Sequence, residues 1–392
     1  LNYMDNEMIY FDHAATSPLS KNVLNKINFT YKNFWGNVSS TYKFGLECAS
    51  ELEILRTKIA DKFNADSEDI IFTSGSSESI SLVFNNISDS YRPGNITISS
   101  IEHQATIIQA NKMRKKGWNV NEWEVDNEGR IIMDYLDKYI NNKIKFVSII
   151  WGQSEIGTLQ PIQEVGKKCS EYGILFHIDG TQIISNGIFN WQKLKCDLLS
   201  LSAHKFGGPK GIGILLTNKD SRKLLRNNDI SISHEYSIRQ GTQALPLISG
   251  LSQALDNIKG RIKFSNNNIE FTNNKIILKT YLLNKIKNNK NFQITGSIND
   301  RLPNHISFIV LNKNFIPIEA YKIVNLMSDN NIAISSGSAC SSSKNIPSRV
   351  LYNIGLEKNQ LYSNIRLSFN EDNNINEVDK FYKILLECIK KF

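Results

Sequence analysis

The sequence contains no run approaching the roughly 18 consecutive apolar residues that a membrane-spanning helix needs. Its 8 prolines and 22 glycines are too few for a fibrous or low-complexity chain of 392 residues. Cysteine is scarce. Cys48, Cys169, Cys196, Cys340 and Cys388 are odd in number, far apart and without a CxxC pair. A disulfide framework and a zinc site are therefore not expected, and a reducing, cytoplasmic compartment fits. The opening LNYMDNEMIYFDHAATS lacks a basic stretch followed by an apolar one, so no secretory signal is expected. Disorder is excluded, because 41% hydrophobic and 21% charged residues can build a large core. Lys and Arg number 46 against 38 Asp and Glu, a net charge of +8. The lysines are scattered among asparagines, as in KIKNNKNF. A solvated basic surface is the expectation, with no nucleic-acid site and no membrane contact.

Short apolar runs alternate with amphipathic stretches. Ile70–Thr73, Asn95–Ser99, Lys145–Trp151, Ile174–Ile178, Leu198–Leu201 and Gly213–Leu216 read as strands. Gln104–Lys116, Ile162–Tyr172 and the serine-rich stretch after Thr73 read as helices. Nearly continuous apolar strands between helices predict an α/β fold with a doubly wound, mainly parallel sheet covered on both faces. After about residue 250 the texture changes. Leu251–Leu283 reads as one or more long helices. His305–Leu311, Ile332–Ser335 and Asn364–Ser368 read as strands, with a helix through Ile318–Met327, as in a smaller α+β domain.

Four segments carry chemistry. Ser202-Ala203-His204-Lys205-Phe206-Gly207-Gly208 presents a lysine on a glycine-rich turn after a strand, which suits a nucleophilic amine. His177-Ile178-Asp179-Gly180-Thr181-Gln182 ends another strand with a carboxylate, as pyridoxal phosphate (PLP) needs to keep its ring nitrogen protonated. Thr73-Ser74-Gly75-Ser76-Ser77-Glu78 opens a helix with small residues whose amides suit a phosphate. Ile101-Glu102-His103-Gln104 places a histidine just past a strand. Taken singly, each has an ordinary structural explanation: a surface lysine, a capping Asp, an N-cap, a structural His.

In combination these segments resemble the class V branch of fold-type-I PLP enzymes, and further motifs narrow the resemblance to NifS/IscS-type cysteine desulfurases. The motifs are Ile9-Tyr10-Phe11-Asp12-His13-Ala14-Ala15-Thr16, Gly36-Asn37-Val38-Ser39-Ser40, Arg239-Gln240-Gly241-Thr242, Ser335-Ser336-Gly337-Ser338-Ala339-Cys340-Ser341-Ser342, Pro347-Ser348-Arg349-Val350-Leu351 and Ile365-Arg366-Leu367-Ser368. They stand in the family's order across nearly the whole chain.

The resemblance implies a role for each matching position. Lys205 would bind PLP covalently, Asp179 would pair with the pyridine nitrogen, and Gln182 would bond the ring hydroxyl. His103 would stack on the ring and act as acid and base. Ser76, Ser77, Ser202 and His204 would hold the phosphate, and Thr242 would reach the phosphate of a second subunit, which implies a homodimer. Arg366 would bind the carboxylate of L-cysteine. Cys340 would take the substrate sulfur as a persulfide, leaving L-alanine. Sulfur acceptors would include an iron–sulfur scaffold or a sulfur carrier, for cluster assembly or tRNA thiolation. The family's organisation implies a large PLP-binding domain over 17–250, with 1–16 and 251–392 forming a small α+β domain that carries the cysteine loop.

The sequence departs from the family pattern in four places. Ser154 stands in Gln153-Ser154-Glu155-Ile156-Gly157-Thr158 where the family has an Asn that contacts cofactor and substrate. Tyr42 replaces a histidine, and Ser231-Ile232-Ser233-His234-Glu235 replaces a Gly-Gly-Gln-Glu stretch. Arg349 replaces a residue that is usually His or Tyr. Two other readings stay open. A selenocysteine lyase or aminotransferase would not need Cys340, and a non-catalytic scaffold for sulfur-transfer proteins would tolerate the departures.

Overall fold

The computed structural model describes residues 8–226, 234–265, 268–337 and 347–392. Its strands, in chain order, are β1 (Ile9–Tyr10), β2 (Ile70–Thr73), β3 (Asn95–Ser99), β4 (Asn119–Trp123), β5 (Ile144–Ile150), β6 (Leu175–Asp179), β7 (Leu198–Ser202), β8 (Gly213–Thr217), β9 (Arg261–Ser265), β10 (Asn268–Thr272), β11 (Phe292–Ile294), β12 (His305–Val310), β13 (Ile332–Ala333) and β14 (Asn364–Ser368). Seven of them form one sheet in the order β2-β8-β7-β6-β5-β3-β4. The five from β7 to β4 run parallel, and β8 is antiparallel to both of its neighbours.

The expected doubly wound sheet is therefore present. Every residue of β2, β7 and β8 is buried, because helices cover both faces. Strand ends agree with the sequence reading to within a residue. The edge strand β4 was not legible, because NVNEW has neither an apolar run nor strict alternation. Polar side chains inside the sheet are satisfied across strands. His177 joins Ser148 Oγ at 2.8 Å and Ser200 Oγ at 2.9 Å, and burial depresses its pKa to about 4.

One sequence expectation fails. Leu251–Leu283 is not a run of long helices. A helix ends at Asp256, β9 and β10 form an antiparallel hairpin, and a second helix covers Lys275–Lys287. The reason is tertiary. Ile262 is buried and Phe264, Ile269 and Phe271 pack on the core beneath the large sheet, which rewards a period of two over 3.6.

A second core forms around the sheet β11-β12-β14, all antiparallel. Phe11 enters this core and meets Phe369 and Phe381 edge-on, at ring separations of 5.3 and 6.0 Å. Pairing of β1 with β13 and a bridge from Asp12 to Ser368 hold the early segment there. Ile9–Thr16 therefore runs along the C-terminal strands and then across to the large sheet.

Candidate active site

The site lies beyond the carboxyl ends of β3, β6 and β7, where ligands of open α/β sheets bind. Asp179 closes β6 and is buried; it accepts hydrogen bonds from the Thr181 amide at 3.0 Å and, closely, from the Thr181 hydroxyl. Ser202 closes β7, and a short 3-10 turn then presents His204 and Lys205. Lys205 Nζ donates to the carbonyls of Ala14 and Ala15 at 2.8 and 2.9 Å. Gln182 Nε2 donates to the same Ala14 carbonyl at 3.0 Å. The early segment thus passes directly over the lysine.

The helix Ser76–Ser90 points its N-terminus at this region. Gly75 caps it without a side-chain bond, so the first-turn amides keep their donors. Gly75 has φ 150°, and a Cβ there would lie 3.2 Å from Ser202 Oγ. Ser76 Oγ lies 2.7 Å from Thr181 Oγ1, which ties the helix start to the Asp179 turn; Ser77 is exposed.

His103 caps the helix Gln104–Lys115, with Nδ1 accepting from the Ala105 amide at 3.2 Å. Desolvation lowers its pKa; Asp179 opposes this and the Lys205 charge adds to it. His204 lies 3.2 Å from Thr16 Oγ1, and its pKa falls to about 4 through desolvation and the charges of Lys205 and Lys210. The His204 ring is therefore neutral near pH 7.

Arg366 comes from β14 and is buried. Its Nη2 pairs with Asp12 Oδ1 at 2.6 Å, and its Nη1 donates to the Ser154 carbonyl at 3.0 Å. His305 Nε2 also lies 3.1 Å from that carbonyl. Thr242 is exposed and shares no hydrogen bond with the others among the described residues. Cys340 and positions 231–233 lie outside the described residues. Of the remaining cysteines, Cys48, Cys169 and Cys388 are buried and Cys196 half-buried, as small hydrophobes are.

The family model described as "Aminotransferase class-V" matches residues 9–381. The chain belongs to the class-V aminotransferase family. Within it, the chain is 34% identical to "Cysteine desulfurase IscS" of Buchnera aphidicola, over 98% of this chain and 93% of that one. It is 31% identical to "Cysteine desulfurase IscS" of Shewanella denitrificans at the same coverage. A crystallised NifS-like protein from Rickettsia africae superposes with a TM-score of 0.81 at 28% identity, covering 97% of this chain and 99% of that one.

PLP is the cofactor of this class-V family, and the residues present fit it. A buried carboxylate ends β6, a lysine stands 26 positions later on the neighbouring strand end, and an amide cradle that a Cβ would fill faces Ser202. Sequence reasoning missed three further acids around the class-V site. Asp12, Glu102 and Glu155 were legible only as members of motifs, with no role of their own. Glu102 is fully buried, accepts from Ser99 Oγ at 2.5 Å and the Ile150 amide at 2.8 Å, and desolvation raises its pKa to about 8. Glu155 is buried beside Ser348 and Arg366, with its pKa raised to about 7 by desolvation. A Cβ on Gly337, whose φ is 72°, would meet Glu155 Oε1 at 3.2 Å. No periodicity marks acids of this kind, because their burial comes from distant strands.

Proposed function

We propose that the chain is a PLP-dependent cysteine desulfurase that takes sulfur from L-cysteine and leaves L-alanine. The observation that carries this reading is the meeting of Lys205, Asp179, Gln182 and His103 at the strand ends of a chain matched end to end by cysteine desulfurases.

Lys205 would hold PLP covalently, with Asp179 at the ring nitrogen, Gln182 at the ring hydroxyl and His103 over the ring. Ser76, Ser77, Ser202 and His204 would hold the phosphate against the helix start, whose partial positive charge favours an anion. Bound there, PLP supplies an electron sink for the bonds at the substrate's Cα and Cβ. His103 serves proton transfer best when neutral, the form toward which its lowered pKa shifts it. Arg366 would orient the substrate carboxylate, with Ser154 beside it. Cys340 would accept the sulfur: its sulfur bonds to the substrate sulfur, and the Cβ–S bond breaks. The electron pair stays with Cβ, which takes a proton. L-cysteine and the Cys340 thiol thereby become L-alanine and a Cys340 persulfide. Assignment of Cys340 rests on its sequence motif.

The chain would act as a homodimer in the cytoplasm and pass sulfur to an iron–sulfur scaffold or a carrier protein. Phe29, Tyr31, Trp35, Tyr42 and Leu46 are exposed on and between the first two helices, an apolar patch that a second copy would cover. Thr242, which is exposed, would reach the second copy's phosphate. Residues 17–250 would form the cofactor lobe, extended past the expected boundary by the hairpin β9–β10 that packs on the same core, and 1–16 with the residues from Lys275 on would form the second lobe. No helix among the described residues is long and apolar enough to cross a membrane.

The test is purification with PLP, an absorbance spectrum and an assay for alanine from L-cysteine. The reading expects a visible band that is absent in Lys205→Ala, and turnover that is lost in Cys340→Ser. Full turnover in Cys340→Ser would favour a lyase or aminotransferase that does not use this thiol. A colourless protein would leave the scaffold reading.

A further inference from the structure

Arg366 is already occupied. Its Nη2 pairs with Asp12 Oδ1 at 2.6 Å, the shortest of its bonds, while Nη1 serves the carbonyls of Ser154 at 3.0 Å and Gly337 at 3.4 Å. Of the two remaining N–H groups, that on Nε is shut off from solvent and has no partner, and the other is the second N–H of Nη2. The Asp12 side chain is 20% exposed and that of Arg366 only 4%, so an anion arriving from solvent meets Asp12 first. Asp12 is itself held. A bridge to Ser368 fixes its backbone, Tyr10 Oη donates to its carbonyl at 3.2 Å, and two residues on, the Ala14 amide donates to Ser368 Oγ at 2.7 Å.

A carboxylate bound to Arg366 needs an N–H that points outward. The guanidinium offers only Nη2 for this; Asp12 already takes one of its two N–H groups, and a carboxylate brought to the other would lie against the Asp12 charge. We propose that Asp12 is a built-in competitor of the substrate carboxylate, a positioning residue that keeps Arg366 aligned in the empty site and must yield Nη2 when an amino acid binds. This rests on the reading of Arg366 as the carboxylate-binding residue. It adds that binding is an exchange of one carboxylate for another rather than the filling of a bare cation. The exchange has two consequences. Arg366 never stands uncompensated in a buried site, which would be costly. The amino-acid product also leaves more easily, because Asp12 retakes its place.

The decisive measurement is calorimetric titration of the PLP-loaded enzyme with L-alanine, the product, which is not turned over. Asp12→Asn keeps the shape and one acceptor oxygen but removes the charge. Loss of a charged competitor at one hydrogen bond is worth about tenfold. L-alanine should therefore bind Asp12→Asn about tenfold more tightly than wild type. KM for L-cysteine should fall by a larger factor than any change in kcat, and Asp12→Glu, which keeps the charge, should restore wild-type binding. Unchanged or weaker L-alanine binding by a folded Asp12→Asn overturns the proposal. If Asp12→Asn does not fold, a crystal structure of the wild-type enzyme with L-alanine decides. Separation of Asp12 from Nη2 supports the exchange, and an intact pair overturns it. Arg366→Gln tells the two failures apart. Wild-type L-alanine binding by Arg366→Gln would sink the reading of Arg366 itself, and this proposal with it. Lost binding there, with no gain in Asp12→Asn, would sink only the exchange.

Discussion

Arg56 and Glu235 form a two-pronged ion pair sealed from solvent, with Nη1–Oε2 and Nη2–Oε1 both at 2.9 Å and side-chain exposures of 3% and 0%. Glu235 also accepts from the Phe72 amide at 2.8 Å, so it joins the helix Lys43–Phe63, strand β2 and the turn leading to Arg239. Arg239 in turn donates to Glu78 in the first turn of the cradle helix, at 2.9 Å. Glu235 closes the altered 231–235 stretch, and this pair gives that residue a structural role.

Removing one partner of such a pair strands the other charge in the interior. Arg56→Met should destabilise the fold by about 3–5 kcal/mol, read from urea unfolding midpoints. A double variant with apolar residues at both positions should recover much of that loss. A single variant with wild-type stability would show that the pair carries no such cost.

The same turn is strained. Glu235, Tyr236 and Ser237 have φ of 45°, 56° and 66°, three successive non-glycine residues in the left-handed region. Each such residue costs about 1–2 kcal/mol relative to right-handed backbone. Ser237→Gly should therefore raise stability by up to about 1 kcal/mol, since glycine relieves the strain but loosens the unfolded chain. Denaturation of the two proteins side by side checks it; a loss of stability would contradict it.

Glu102 makes stability depend on pH. Desolvation raises its folded pKa to about 8, above its ordinary value of 4.5. Between those values the folded state keeps a proton that the unfolded state has released. The contribution is full below pH 4.5 and falls as pH rises to about 8. Glu102→Gln is neutral throughout. Its stability relative to wild type should improve from pH 5 to pH 8, measured by urea midpoints at both. A pH-independent difference would mean that Glu102 is ionised in the fold.

Arg349 fastens the segment after the cysteine loop to the large sheet. Its Nε donates to the Ser100 carbonyl at 3.1 Å, and its Nη2 pairs closely with Glu122. Ser100 stands three residues before His103. The pair is partly exposed, so Arg349→Ala should cost at most about 1 kcal/mol of stability. Turnover should nevertheless fall by up to about tenfold, because small misplacements near the chemistry are amplified. Unchanged kcat with unchanged thermal stability would make Arg349 an incidental surface residue.

The large sheet was legible because its strands are buried on both faces and therefore written as short continuous apolar runs. Strand β4 escaped because an edge strand with one wet face needs no such run. The hairpin β9–β10 escaped because RIKFS and NIEFT acquire their two-residue period from the core they pack against, which lies far away in sequence. At the site, Lys205, Asp179, Gln182, His103 and the Ser76–Ser77 helix start were all recognisable, since each belongs to a contiguous motif.

The sequence by itself determined the fold class, the cofactor and the family, because local motifs and strand periodicity encode them within short stretches. Only the tertiary structure decided which groups the site residues meet. Asp12 on Arg366, Ala14 on Lys205 and Glu235 on Arg56 are separated by 354, 191 and 179 positions. Such partners are set by how two cores pack and how the early segment crosses between them. The burial that shifts Glu102 and Glu155 has the same origin, since desolvation is a property of everything packed around a group and not of its neighbours in the chain.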